Sequence, residues 1–83
     1  MKAMTLPSDI MHLLRENAKV AGVPEPKGND DLFSIGILDS FALVDLIALL
    51  EATYSIQIPD SDVKPENFRT INAIQQYLHL RTG

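Results

Sequence analysis

The segment DSFALVDLIALLEATY, Asp39 to Tyr54, constrains the fold of this chain more than any other. Leu and Ala fill it, and Asp39 is a good helix cap, so it predicts a helix opening there. Phe41, Val44, Ile47 and Leu50 form one stripe, extended by Leu46 and Tyr54. Leu43 and Leu49 lie to the side, which makes the apolar surface wider than one stripe needs. Eighty-three residues leave room for one domain, residues 1–83, to wrap this helix. A content of 46% apolar residues is enough for an economical core.

The other segments also follow the helical period. After Pro7, Ser8 is a candidate N-cap and Asp9 suits the first turn. Ile10, Leu13, Leu14, Ala18 and Ala21 then recur at helical spacing until Gly22 and Pro24 stop them. GVPEPKGNDD has prolines and glycines without a period and reads as a long surface loop. LFSIGIL is apolar, but short and interrupted by Gly36; a loop tucking Phe33 and Leu38 into a helical core is expected. SIQIP alternates like a strand too short to stand alone. DSDVKPENF can hold one short turn of helix near Pro65. Thr70 caps INAIQQYLHL, with Ile71, Ile74 and Leu78 on one face and Tyr77 beside it. The expected fold is all-α: a small four-helix bundle of three main helices and one short one, with a long first loop.

Composition removes several function classes. Eleven acids against seven bases give a formal charge of −4, with no basic stripe, so nucleic acid is not an expected partner. The absence of cysteine excludes disulfides, thiolate metal sites and thiol nucleophiles. MKAMTLPSD lacks a signal-peptide core, and neither a myristoylation nor a prenylation signal is present. The apolar runs fall short of the roughly 20 residues that span a bilayer. The expectations are no membrane insertion and a cytoplasmic location.

The pair Asp39-Ser40 in GILDSF stands at the mouth of the most apolar helix. A nucleophilic serine needs a base and oxyanion donors. The Gly-x-Ser-x-Gly elbow is absent, and His12 and His79 read as surface or boundary helix residues. Asp39 is better placed to cap than to deprotonate. No catalytic residue, and no enzyme activity, is expected. DSDVKPENFRTI, Asp60 to Ile71, starts like a calcium loop but puts Lys64, Pro65 and Ile71 where a ligand, a glycine and a glutamate are needed, so no metal site is expected. Two readings of Ser40 remain. It belongs to a plain capping pair, or it carries a phosphodiester, which the first-turn N–H groups and the helix dipole favour.

The order of elements around the pair adds to this. DDLFSIGILDSFALVDLIALLEATYSIQIP, Asp30 to Pro59, resembles the acyl carrier protein family. The match runs through Asp31-Leu32-Phe33, Gly36, Asp39-Ser40-Phe41, Asp45, Glu51, Tyr54 and Ile56-x-Ile58-Pro59, and FRTINAIQQYL looks like that family's last helix. The resemblance implies a free-standing, monomeric phosphopantetheine carrier. Ser40 would receive a 4′-phosphopantetheine arm from a phosphopantetheinyl transferase, and Asp39 would assist through that enzyme's magnesium. The arm's thiol would hold acyl or aminoacyl groups as thioesters, loaded by an acyl- or aminoacyl ligase and passed to a downstream synthase or transferase in fatty-acid, polyketide or related biosynthesis. Phe41, Leu43, Val44, Asp45, Ile47 and Glu51 would dock these partners. Val44, Ile47 and Leu50 are candidates to line a shelter for an acyl chain.

The sequence departs from fatty-acid carriers in two respects, the first being Phe41 after the serine, where Leu or Met is more usual. Ala42 and Leu43 follow Phe41 where such carriers often show an acid and a small polar residue, and only Asp45 and Glu51 are acidic within SFALVDLIALLEATY. An exposed Leu43 would favour apolar docking. A D-alanyl or other aminoacyl carrier served by a dedicated ligase fits as well. The more remote alternative is an unmodified helical interaction module in which Asp39-Ser40 is only a cap.

Overall fold

The computed structural model describes residues 6–82. Among them are four helices and no strand: α1 (Ser8–Ala21), α2 (Ser40–Tyr54), α3 (Pro65–Phe68) and α4 (Ile71–Thr82), with one 3-10 turn at Asp60–Asp62. This is the expected all-α bundle with one short helix and a long first loop. None of the helices described is long and apolar enough to cross a membrane.

Helix α1 starts differently from the expectation. Pro7 is its N-cap, and its carbonyl accepts the Met11 N–H at 3.0 Å. Ser8 is the first helical residue and makes no cap bond. Proline already fixes the extended entry and supplies the first acceptor, so the serine hydroxyl is left in solvent. Ile10, Leu14 and Ala18 are buried as their spacing requires. Ala21 is exposed because the chain turns away at Gly22. Gly22 takes φ +73°, and the N–H groups of Gly22 and Val23 close on Lys19 and Ala18 carbonyls at 3.1 and 3.0 Å.

The end of the first loop is a compact turn. Both the Ile37 and Leu38 N–H groups donate to the Leu32 carbonyl at 3.0 Å, and Gly36 at φ +88° permits the reversal. The Asp31 carboxylate accepts the Phe33 and Ser34 N–H groups at 3.1 and 3.2 Å. The Ser34 N–H is the main cause holding the Asp31 carboxyl below the usual range, against a smaller opposing effect of burial. Leu32, Ile37 and Leu38 are buried, whereas Phe33 is only half-buried. The anchors are therefore wider than the expected Phe33–Leu38 pair, because the turn folds Leu32 and Ile37 onto the same side.

Helix α2 also faces differently from the expectation. Leu46 and Leu50 are fully buried, with Leu43, Ile47 and Leu49 half-buried against the core. Phe41 and Val44 are 84% and 64% exposed. The predicted Phe41–Val44–Ile47–Leu50 stripe thus splits, and Val44 lines nothing inside the bundle. Leu43, expected to be exposed, packs inward. A helix that is apolar nearly all round carries little directional signal, so its facing is set by the elements packed on it.

α1 packs on α2, and α3 packs on α4. Thr70 caps α4, its hydroxyl accepting the Ala73 N–H at 2.9 Å. Ile71, Ile74, Tyr77 and Leu78 turn into the core, which Phe68 of α3 completes.

Candidate functional site

Ser40 is the first residue of α2 and is exposed. The buried pair Ile37 and Leu38 anchors the chain just before it, so the hydroxyl sits on a fixed corner rather than a loose loop. Asp39 is extended, at φ −138° and ψ −170°. Its Oδ1 accepts the Ala42 N–H at 2.8 Å, and its carbonyl accepts the Leu43 N–H at 2.8 Å. The N–H groups of Ser40 and Phe41 precede the first possible intrahelical bond. They and the helix dipole make this corner favourable for negative charge on Ser40 Oγ.

The corner suits attachment better than catalysis. His12 lies on α1 and His79 near the end of α4, both exposed. Among the described residues, no group of three or more His, Asp or Glu side chains is placed to hold a metal ion. A phosphodiester fits: the oxygen is exposed, and the surrounding backbone presents donors rather than carbonyls.

The other candidate residues divide. Phe41, Val44 and Asp45 are exposed on the outer side of α2. Leu43 and Ile47 are half-buried against the core. Glu51 is half-buried too, and its Oε2 accepts the Ile58 N–H at 2.7 Å, so it holds the segment that follows α2. Val20 at the end of α1 escaped the sequence reading. It is 89% exposed and borders, with Asn17, Asp39 and Ala42, a shallow cleft of about 180 Å³. Its one signal was a position off the Ile10–Leu14–Ala18 period.

The cap and the charge of Asp39 can be separated. Asp39→Ala should lower stability by about 1 kcal/mol through loss of the Ala42 bond, read as a shift in the urea midpoint. Asp39→Asn keeps an acceptor and should stay within about 0.5 kcal/mol of wild type. Equal losses in both variants would mean that the carboxylate charge, not the cap, holds the helix start.

Comparisons with known proteins bear on this corner. The family described as phosphopantetheine attachment site matches residues 11–78. D-alanyl carrier proteins from Streptococcus pyogenes serotype M5 (strain Manfredo), serotype M49 (strain NZ131) and serotype M1 are each 40% identical over 48 residues. The aligned segment covers 58% of this chain and 61% of each relative, so the match spans less than two thirds of their length.

Proposed function

We infer a cargo-carrying role for this chain, which belongs to the phosphopantetheine attachment-site family. Members are carrier proteins that hold 4′-phosphopantetheine covalently, and the carriers do not themselves catalyse the chemistry of their cargo. Ser40 is the attachment residue in our reading. One observation carries it: an exposed hydroxyl on the first residue of a helix, behind the Asp39 cap, within the matched region.

Ser40 Oγ attacks the phosphorus on the pantetheine side of coenzyme A's pyrophosphate. The new O–P bond forms as the bond to adenosine 3′,5′-bisphosphate breaks, and the serine proton passes to a base on the transferase. The chain contributes the positioned oxygen, the first-turn N–H groups that favour the phosphodiester, and the Asp39 carboxylate, which would assist through the transferase's magnesium. When bound, the arm supplies a thiol, which gives a cysteine-free chain the means to hold a thioester.

The cargo we favour is aminoacyl, with D-alanine first. The D-alanyl carriers of S. pyogenes support this, as does the thinly acidic α2. Partners are then a phosphopantetheinyl transferase, an ATP-dependent aminoacyl ligase and an acceptor transferase, meeting the chain on Phe41, Val44 and Asp45. An acyl cargo of fatty-acid or polyketide type is the second reading.

Intact-protein mass spectrometry tests attachment. Incubation with coenzyme A, magnesium and a broad-specificity phosphopantetheinyl transferase should add one phosphopantetheine. The cargo is tested next on the loaded protein, with ATP, D-alanine and a D-alanine–carrier ligase. A second mass gain of one alanyl group, removed by hydroxylamine, is expected. Loading by a malonyl transferase but not by the ligase would put the acyl reading first.

A further inference from the structure

The bundle interior bears on which cargo the arm can hold, an inference that rests on attachment at Ser40. The helices pack most closely in two pairs, α1 with α2 and α3 with α4. Ser40 belongs to the first pair. Leu46 and Leu50 of α2 share one buried cluster with Phe68 of α3 and Ile74 of α4, so cargo entering the core meets all of them.

Helix α3 is tied down on both sides. On its N-terminal side the Tyr77 hydroxyl donates to Asp62 Oδ2 at 2.7 Å, and Asn67 Nδ2 donates to the Asp62 carbonyl at 2.8 Å. Arg81 Nη1 donates to the Tyr77 hydroxyl at 2.9 Å, lies 3.6 Å from Asp62, and through Nη2 donates to the Gln57 carbonyl at 2.7 Å. On its C-terminal side the Arg69 carbonyl accepts the Leu32 N–H at 2.7 Å, which joins the α3–α4 link to the turn leading into Ser40. Glu51 adds a third tie, from α2 to Ile58. Burial, then the bond to Asp62, raises the Tyr77 hydroxyl pKa above its ordinary 10.0 despite Arg81, so this donor keeps its proton through the neutral range.

Beneath these ties Phe68 is fully buried and packs edge-on against Tyr77, with ring centroids 5.3 Å apart and planes at 60°. Leu46, Leu50 and Ile74 are also fully buried. Interiors are close-packed, so an alkyl chain enters only by displacing one of these groups. Phe68 is the largest of the fully buried side chains and sits on the shortest helix.

We propose that Phe68, held in place by the Tyr77–Asp62–Arg81 network and the Arg69–Leu32 bond, closes the bundle to the arm's cargo, so that this carrier holds short or polar acyl groups in solvent and gives long alkyl chains no buried seat. Phe68 is then a specificity-determining residue that acts by occupying the space.

The test loads acetyl- and octanoyl-pantetheine separately onto Ser40 from the corresponding acyl-coenzyme A and a broad-specificity transferase, with mass spectrometry confirming each form. Thermal midpoints and the methyl spectra of Leu46, Leu50 and Ile74 are then compared. In wild type both cargoes should give midpoints within about 1 °C and the same core methyl positions. In Phe68→Ala the octanoyl form should melt about 4 °C or more above the acetyl form, with shifted core methyls, because the chain fills the vacated space. Phe68→Leu leaves a smaller space and should give the same sign at smaller size, which keeps the test available if the alanine variant does not fold. An octanoyl-dependent midpoint rise and methyl shifts in wild type would overturn the proposal. So would unchanged behaviour in a folded Phe68 variant. Failure of both cargoes to load on folded wild type would instead overturn attachment at Ser40.

Discussion

Ser40→Ala should take up no phosphopantetheine: its intact mass after treatment with coenzyme A, magnesium and transferase should equal its mass before, while wild type should gain one arm. The loss should be complete, because in the proposed attachment the hydroxyl oxygen is the atom that forms the bond to phosphorus. The fold should survive. The cap belongs to Asp39, whose bond to the Ala42 N–H does not involve the Ser40 side chain. Ser40 is exposed, and alanine is the better helix former, so stability should stay within about 0.5 kcal/mol.

The chain contains its own control. Ser8 is likewise an exposed first residue of a helix. It follows a proline instead of a capping aspartate and lies outside the matched residues 11–78. If a serine at a helix start were sufficient, Ser8 would be loaded as well. Ser8→Ala should load like wild type, and a single arm should appear in both. An arm on the Ser40→Ala protein, at Ser8 or elsewhere, would sink the assignment. No arm on a folded wild type would return Asp39-Ser40 to a capping pair and leave an interaction module, which binds its partner equally well with alanine at position 40.

The parts of this structure legible in the sequence are those fixed by neighbours along the chain. Asp39 caps the residue three positions on, Thr70 does the same, and Gly22 stops α1 through a local φ. The Asp39-Ser40 corner was readable for this reason. The features that stayed hidden depend on residues far apart in sequence. Glu51 looks like a surface acid until Ile58 folds back onto it, and Tyr77 and Arg81, one turn apart on α4, gain their role only when Asp62 is brought beside them. Ser8 was misread as a cap because Ser after Pro fits two registers, and the Pro7 carbonyl decided between them.

The facing of α2 is the costliest of these ambiguities, and one pair of substitutions resolves it in solution. Leu50→Ala should cost about 2–5 kcal/mol, because Leu50 is fully buried and the surrounding core collapses only partly around the space left. For a domain of this size that lowers the thermal midpoint by roughly 8 °C or more. Val44→Ala should change stability by no more than about 0.5 kcal/mol, since Val44 is 64% exposed. A stripe through Phe41, Val44, Ile47 and Leu50 requires both to be costly. At about 100° per residue, positions 44 and 50 lie some 120° apart around the helix, so only one of them can centre the buried face. Comparable losses at the two positions would mean that α2 is rotated from the orientation described here, and Phe41 and Asp45 would leave the outer side on which partners are expected to meet Ser40. A large loss at Leu50 alone keeps Phe41 and Val44 as surface that folding does not use, one turn from the attachment oxygen, where only a partner gains by covering it.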